Sequence, residues 1–501
     1  MTPWNAWATA LLLACLMAVA PRVQAAAVAD TACGPDVVGS PCASAQVAGM
    51  DSTGGVPQGA GNPVNLITGN KHQRETDMPA LPGVLGLELV RHYNSRHAAP
   101  GMPLYGIGRG WQLSYDTRLY AQEHSLQVVQ ADGARIIFAR SRLRMTLCAS
   151  TNPAQGVVRI DRDEAPADGL RYRWRWPDGR ELGFDRNGRL ARISVASGEA
   201  VVIERLPDGR IARVTDPQGR SLSFAYPTRR DSVPGRYVAI QSADTPVGRF
   251  FYQYGNLAGD APAQAANLVQ VQMPTVLEPG VLQSIDGRDH GPSGYSRSTV
   301  RRLYHYEDPR FVSLLTGITV DGAGADGQPM RTRIATWAYD GNGLAVRAER
   351  SGEQLAFDRS AAGVTRITDG HGGVTSYRHA IVGGAFRLLD ARGAGCASCG
   401  QVDVRYGYDS LGRLQEVTRL DAAGQPVSGR RQELDALGRP YALFDVAYRD
   451  GKPAGRTLAL QQLFPYPGIA YRWPRASRAA NTARRALPRP ASWPVGSTSA
   501  S

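Results

Sequence analysis

A short motif that recurs between residues 184 and 440 constrains the fold of this chain most strongly. It consists of an aromatic residue, an aspartate, two variable residues, then Gly-Arg and an aliphatic residue. The fullest copies are Phe184-Asp185-Arg186-Asn187-Gly188-Arg189-Leu190 and Tyr408-Asp409-Ser410-Leu411-Gly412-Arg413-Leu414. Two partial copies are Tyr339-Asp340-Gly341-Asn342-Gly343, without the arginine, and Leu434-Asp435-Ala436-Leu437-Gly438-Arg439, without the aromatic residue. Internal repeats indicate a fold that stacks one small unit on the next.

The motif predicts the corner of a β-hairpin. An aspartate at the first turn position accepts hydrogen bonds from backbone N–H groups two residues further on. The glycine three residues later can adopt a positive φ at no steric cost. Aliphatic residues then recur three positions apart, as Leu190 and Ile193 do, so either a bulge interrupts the strand or both of its faces are buried. Because one hairpin is marginally stable alone, we expect the hairpins to pair edge to edge.

The rest of the composition also favours strands and turns. The 501 residues include 56 glycines and 33 prolines, and an apolar share of 43% is sufficient for a folded core. Short runs of β-branched and aromatic residues alternate with turns between residues 61 and 140. One example is Asp132-Gly133, a hairpin turn between Leu126–Val129 and Ile136–Phe138. The sequence therefore predicts an all-β fold.

The two ends of the chain differ from its body. An apolar run over Ala8–Ala20, followed by Val23-Gln24-Ala25, is typical of a signal peptide cleaved after Ala25, and it is too short to span a bilayer comfortably. After Asp450 acidic residues stop, and Pro, Arg, Ala and Ser dominate. The predicted organisation is a signal peptide at 1–25, a flexible lead-in at 26–60, a β-rich N-terminal domain at 61–165, a degenerate repeat region at 166–456, and a disordered or aberrant basic tail at 457–501.

The net charge of +13 does not predict a nucleic-acid-binding protein. Eight of these charges come from Lys452 and the seven arginines that follow it. The body of the chain has no basic stripe interleaved with aromatic residues, which a nucleic-acid platform requires.

Five cysteines remain after the predicted cleavage site. Cys33 and Cys42 bracket a loop and are candidates for a disulfide. Cys396 and Cys399 are separated by two residues, which allows a local disulfide, half of a metal site or two free thiols. No motif specifies a metal or a cofactor.

No catalytic motif is present, since the eight histidines are scattered and no nucleophile elbow or metal-binding helix accompanies them. The most unusual cluster is Tyr172, Trp174 and Trp176, which share one face if they lie on a strand. That face is either part of the core or a surface that stacks on glycans or a protein partner. We therefore predict a non-enzymatic protein.

Two regions carry a family resemblance. The segment Tyr406–Leu414 resembles a near-consensus unit of the RHS/YD-repeat family. Residues 61–140 resemble the uncharacterised domain that precedes such repeats, on the motifs Gly61-Asn62-Pro63-Val64-Asn65, Arg91-His92-Tyr93-Asn94-Ser95 and Gly108-Arg109-Gly110-Trp111. The resemblance implies a continuous, spiralling sheet that forms a partial shell. In the family such shells enclose or present a variable C-terminal toxin domain, and related animal proteins act in adhesion.

These features predict a secreted or cell-envelope protein without a stable transmembrane segment. Its expected role is that of a structural shell or delivery component of a polymorphic-toxin-type system, and we interpret it as a truncated or partial copy. The expected partner is a toxin or a further RHS-repeat chain. The alternatives are a surface adhesion module that binds glycans or a cell-surface protein, and a secreted hydrolase for which no motif is present.

Overall fold

The computed structural model describes residues 58–461, except 62, 144, 151–152, 178, 228–237, 256–265, 275, 280–294, 299, 324–327 and 437–439. The predicted signal peptide, the lead-in up to residue 57 and the tail beyond residue 461 lie outside the described residues. So do four of the predicted site residues: Cys33, Cys42, Gly438 and Arg439.

The described chain is all-β, as predicted. Two single turns of 3₁₀ helix, Ser114–Asp116 and Pro153–Gln155, accompany the strands. The strands are β1 (Gly59–Ala60), β2 (Val64–Asn65), β3 (His72–Met78), β4 (Leu89–Asn94), β5 (Trp111–Leu113), β6 (Arg118–Ala121), β7 (Ser125–Val129), β8 (Arg135–Arg140), β9 (Leu147–Ala149), β10 (Val157–Ile160), β11 (Tyr172–Arg175), β12 (Glu181–Phe184), β13 (Leu190–Ser194), β14 (Ala200–Arg205), β15 (Ile211–Thr215), β16 (Ser221–Ala225), β17 (Ser242–Thr245), β18 (Gly248–Tyr254), β19 (Leu268–Gln272), β20 (Val276–Pro279), β21 (Tyr295–Ser298), β22 (Arg301–His305), β23 (Gly317–Ala323), β24 (Pro329–Tyr339), β25 (Ala345–Arg350), β26 (Glu353–Asp358), β27 (Val364–Asp369), β28 (Val374–Val382), β29 (Ala385–Gly393), β30 (Val404–Tyr408), β31 (Leu414–Leu420), β32 (Pro426–Leu434), β33 (Pro440–Arg449) and β34 (Lys452–Gln461).

Among the described residues, 27 strands form one long antiparallel sheet. Each of its strands pairs with the next along the chain from β6 to β34, except that β19 pairs directly with β22 across the hairpin β20–β21. The strands β3, β4 and β5 form a separate three-stranded sheet. We call residues 58–117, which contain this small sheet, the N-terminal segment.

Strand pairing crosses three of the positions at which the sequence analysis placed boundaries. Strand β10 pairs with β11, so the long sheet runs without interruption past residue 165, where a new domain was expected. Strand β1 begins before residue 61, within the expected lead-in. Strand β34 continues to Gln461 and pairs with β33, so the first residues of the expected tail form a strand.

The repeat motif forms hairpin corners with a shared geometry. The carboxylate Oδ1 of Asp185 accepts hydrogen bonds from the backbone N–H groups of Asn187 at 2.9 Å and Arg189 at 2.8 Å. The aspartates of the other fully described copies, Asp340 and Asp409, make the same two bonds. The glycine at each corner has a positive φ, 68° at Gly188, 74° at Gly343 and 73° at Gly412.

A bulge explains why aliphatic residues recur three positions apart. Phe184 pairs with Leu190, but Gly183 pairs with Arg192, so one residue of β13 is left without an opposite partner. The extra residue returns Leu190 and Ile193 to the same buried face. The same register shift separates Gly407 from Tyr408 in the later copy. Of the two alternatives that the spacing allows, the structure has the bulge.

Prediction for the hairpin corner. A Cβ atom added at Gly412 would lie 2.5 Å from the carbonyl oxygen of Val382, and the φ of 73° is unfavourable for any side chain. We expect Gly412→Ala to lower the free energy of unfolding by roughly 1–3 kcal/mol. Gly341→Ala is the matched control, because Gly341 lies in an equivalent turn with ordinary φ and open space. Equal denaturant midpoints for the two variants would contradict this account.

Candidate functional site: the N-terminal segment and the free sheet edge

The small sheet of the N-terminal segment is buried on both faces although it is rich in polar residues. All six residues of β4 are buried, and so are most residues of β3. Burying charged groups is costly unless they are paired and hydrogen-bonded. The contacts of these side chains therefore show what this sheet is packed against.

A buried ion pair lies at the centre of this interface. Arg91 donates two hydrogen bonds of 2.7 Å to the carboxylate of Asp77, and neither side chain is exposed. Tyr252 of β18 donates to Asp77 at 3.0 Å, and Arg91 donates to the hydroxyl of Tyr304 of β22 at 2.8 Å. The guanidinium also lies 4.9 Å from the centre of the Trp111 ring. Burial alone would lower the pKa of Arg91, but the attraction of Asp77 raises it well above its usual value.

Further polar contacts extend this interface along the sheet. Glu75 accepts a 2.5 Å hydrogen bond from Arg302 of β22. The Tyr93 hydroxyl donates to the carbonyl of Ser313 and accepts from the N–H of Leu315, both at 3.0 Å. These bonds satisfy buried groups on both sides of the interface.

Lys71 makes a comparable contact with a later strand. Its ammonium lies 4.0 Å from the centre of the Trp337 ring of β24, and donates to the side-chain oxygen of Gln73 at 2.8 Å. Burial lowers the pKa of Lys71 well below its usual value. Arg359, which follows β26, donates to the carbonyl of Leu66 at 3.0 Å. The N-terminal segment thus bonds to strands far apart in the long sheet.

Two histidines of the small sheet are stacked in its interior. The rings of His72 and His92 are 5.7 Å apart, and Nε2 of His92 lies 3.3 Å from the hydroxyl of Ser114. Burial lowers the pKa of His72 well below its usual value and that of His92 to about 3. His92 and Ser114 are each only 2% exposed, so a substrate cannot reach either side chain. Their hydrogen bond instead links two elements in the interior of the N-terminal segment.

The predicted aromatic cluster lies in the core. Trp174 and Trp176 are 0% and 5% exposed, their rings are 4.0 Å apart, and Phe138 packs edge-on against Trp174. Tyr172 is half-buried. The buried side chains of Trp174 and Trp176 thus correspond to the first of the two alternatives, a face that is part of the core, and Tyr172 packs partly buried against that core.

The cysteines near residue 400 form a local disulfide between Cys396 and Cys399. Ser398, inside the closed loop, accepts a 3.0 Å hydrogen bond from the N–H of Gly61, so this loop also contacts the N-terminal segment. Within the described residues, no group of three or more His, Cys, Asp or Glu side chains is arranged to hold a metal ion.

Within the described residues, the last strand of the long sheet has a free edge. Among the described residues β34 pairs only with β33, and all ten of its residues are exposed. Leu458 and Leu460 are each 50% exposed. A long exposed edge strand presents unpaired N–H and C=O groups that can pair with another strand. Arg456, Leu458 and Leu460 occupy every second position, which is the sequence signal for a strand. The change in composition after Asp450 obscured this signal.

None of the helices in the described part of the chain is long and apolar enough to cross a membrane.

Comparisons with known proteins identify one domain and partial similarities. Residues 61–138 match the model of a domain of unknown function, DUF6531. The chain is 28% identical over 188 residues to double-stranded DNA deaminase toxin A of Burkholderia cenocepacia (strain H111), a match that covers 34% of this chain and 12% of that protein. The crystal structure of TcdB2-TccC3-TEV aligns with 75% of this chain and 22% of its own, at 12% identity and a TM-score of 0.29. The crystal structure of TcdB2-TccC3 aligns with 79% of this chain and 24% of its own, at 10% identity and a TM-score of 0.22. The chain thus spans a minor part of each of these three relatives. The DUF6531 match coincides with the N-terminal segment and the first strands of the long sheet.

Prediction for the buried ion pair. Removing the charge of Asp77 leaves Arg91 charged and unpaired in the interior. We expect Asp77→Asn to lower the free energy of unfolding by about 3–5 kcal/mol. Asp244→Asn is the control, because its partner Arg249 and Asp244 itself are half-exposed, and its cost should stay below about 1 kcal/mol. Equal losses in urea denaturation would show that the buried pair has no special role.

Prediction for pH. Burial and, to a smaller extent, the nearby charge of Arg135 lower the pKa of His97 from 6.5 to about 4. Between pH 6.5 and 4 the unfolded chain therefore binds a proton at this position that the folded protein does not. Stability should fall as the pH falls through this range, by about 1.4 kcal/mol per pH unit for His97 alone. His97→Gln should reduce this slope relative to wild type, whereas His124→Gln, at an exposed site, should not. Parallel pH profiles for wild type and His97→Gln would refute the assignment.

Proposed function

We propose that this chain is a non-enzymatic structural component of a toxin-type delivery system. Its long sheet serves as a wall that encloses or displays a passenger. The observation that carries this proposal is the continuous sheet of 27 strands in the described part of the chain, which is fixed from inside by the N-terminal segment and ends there in the free edge of β34. Such a sheet offers an extended surface and an edge for assembly, and the buried His92–Ser114 pair of the N-terminal segment is closed to substrates.

The similarity to a deaminase toxin supports a toxin-related setting. The similarity to the deaminase toxin covers 12% of that protein. We propose that the shared part is scaffold, and that the activity in the relative's name belongs to another part of it. The apolar run over Ala8–Ala20 favours export of this chain to the periplasm, the cell envelope or the medium.

We further propose that the edge of β34 is continued by a strand of a toxin chain or of a further repeat chain. Strand addition to an exposed edge gives main-chain hydrogen bonds along the added segment. The ten-residue length of β34 and its two half-exposed leucines suit such pairing. Such strand addition would make a strand of the passenger chain the next strand of the sheet after β34.

Prediction for the free edge. Lysines at Leu458 and Leu460 should block strand addition, because charged side chains protect sheet edges. Val374→Lys is the control, since Val374 is 45% exposed on β28, an interior strand of the sheet. From a lysate of the source organism, wild type and the control should capture a chain whose separate expression arrests growth, and the double variant should not. Capture of the same chain by all three proteins would contradict edge pairing.

The non-enzymatic part of the proposal has its own test. Purified chain incubated with double-stranded DNA should produce no deaminated bases, measured by sequencing against a no-protein control. Deamination above that background would overturn the structural role, whatever the result at the β34 edge.

A further inference from the structure

A cavity of about 720 Å³ lies between the N-terminal segment and the long sheet. Its lining comes from the loop after β4, the start of β8, the segment Arg310–Leu314 before β23, and the turn between β24 and β25. This volume is within the range that small organic ligands occupy. The cavity is separate from the edge of β34 on which the proposed function rests.

The charges that line the cavity have one sign. Its ionisable side chains are those of Arg96, His97, Arg109, Arg135 and Arg310, and the lining contains no aspartate or glutamate. A concave surface lined by one sign of charge concentrates ligands of the opposite sign.

Within the described part of the chain, two of these arginines have neither an ion-pair partner nor a hydrogen-bond partner for their side chains. Arg310 is held by Asp308 at 2.7 Å and by the carbonyl of Tyr339 at 2.8 Å. In contrast, the guanidinium groups of Arg109 and Arg135 make no hydrogen bond or ion pair with any described residue. Both side chains are half-buried, so they are available to a group inside the cavity.

A buried imidazole in the lining also lacks a partner. His97 is 7% exposed, and its Nδ1 has no hydrogen-bond partner among the described residues. A buried polar atom without a partner is unfavourable unless water or a ligand satisfies it. The imidazole can act as donor or acceptor according to its tautomer.

The remaining lining is largely apolar. Phe311, Leu314 and Leu344 contribute an aromatic ring and two aliphatic side chains, and Met102 adds a flexible one. The Arg310 guanidinium lies 5.5 Å from the centre of the Phe311 ring, which places basic and aromatic surfaces side by side. A ligand that matches this lining has an anionic group and an apolar body.

We propose that this cavity binds a small molecule that carries an oxyanion, phosphate or carboxylate, on an apolar body. Arg109 and Arg135 hold the oxyanion beside the ring of His97, and Phe311 contacts the apolar part. The planar guanidinium matches the oxygens of either anion and forms charge-assisted hydrogen bonds with them.

Isothermal titration calorimetry on the full chain tests the ligand class. Phenyl phosphate and benzoate are the anionic probes, and benzyl alcohol and benzamidine are the neutral and cationic controls of similar shape. At least one anion should bind about tenfold or more tightly than both controls, as expected for charge-assisted hydrogen bonds. The difference between phenyl phosphate and benzoate identifies the preferred oxyanion.

Variants then locate the site. Arg109→Gln and Arg135→Gln should each weaken binding of the anion about tenfold. Arg213→Gln, at an exposed arginine of β15 that is not part of the cavity lining, should leave binding unchanged. If either cavity variant fails to fold, NMR of the wild-type protein still decides, because the anion should shift the imidazole signals of His97 and not those of the exposed His124.

Three results would overturn the proposal: anions that bind no more tightly than benzyl alcohol, folded Arg109 and Arg135 variants with wild-type affinity, or ligand-induced shifts that leave His97 unchanged. Binding of a hexaglutamate peptide without binding of either small anion would also overturn it, and would assign the cavity to an acidic protein partner.

Discussion

The buried pairing of Arg91 with Asp77 is the interaction on which the rest of the structure depends. Two charges without contact to water are tolerated only when each is paired and hydrogen-bonded. Here the partners come from both sides, because Tyr252 and Tyr304 belong to strands of the long sheet while Arg91 and Asp77 belong to the N-terminal segment. The two parts therefore satisfy each other's polar groups and cannot separate without exposing an incomplete network.

This mutual dependence connects the fold to the proposed role. In a sheet in which each strand pairs almost entirely with its neighbours along the chain, few contacts join strands that are far apart in the sequence. The N-terminal segment supplies them, through Lys71 on Trp337, Tyr93 between Ser313 and Leu315, and the loop of the disulfide. Because the N-terminal segment bonds to strands that are far apart along the sheet, it fixes the path of the sheet. A wall that encloses or displays a passenger requires such a fixed path. The same packing creates the basic cavity beside His97.

The sequence predicted the local structure well because its determinants are local. The aspartate and glycine of each motif form their corner with bonds that span four residues, and the fold class and the hairpin at Asp132-Gly133 follow from alternation and turn chemistry. The interface was not predictable in this way. Nothing near Arg91 and Asp77 in the chain indicates that Arg91 bonds to Tyr304 and Asp77 to Tyr252, both more than 150 residues away. Trp174 left two alternatives open because a strand face does not reveal which side is covered.

Hydrogen exchange measured by mass spectrometry tests most directly whether the N-terminal segment and the long sheet form one cooperative unit. The account predicts that amides of β3 and β4 are protected to the same degree as those of β18 and β22, and that Arg91→Met lowers the protection of all four strands together. Rapid exchange of β3 and β4 while β18 and β22 stay protected, in wild type or in this variant, would contradict it, because the sheet would then hold its course without the segment packed inside it.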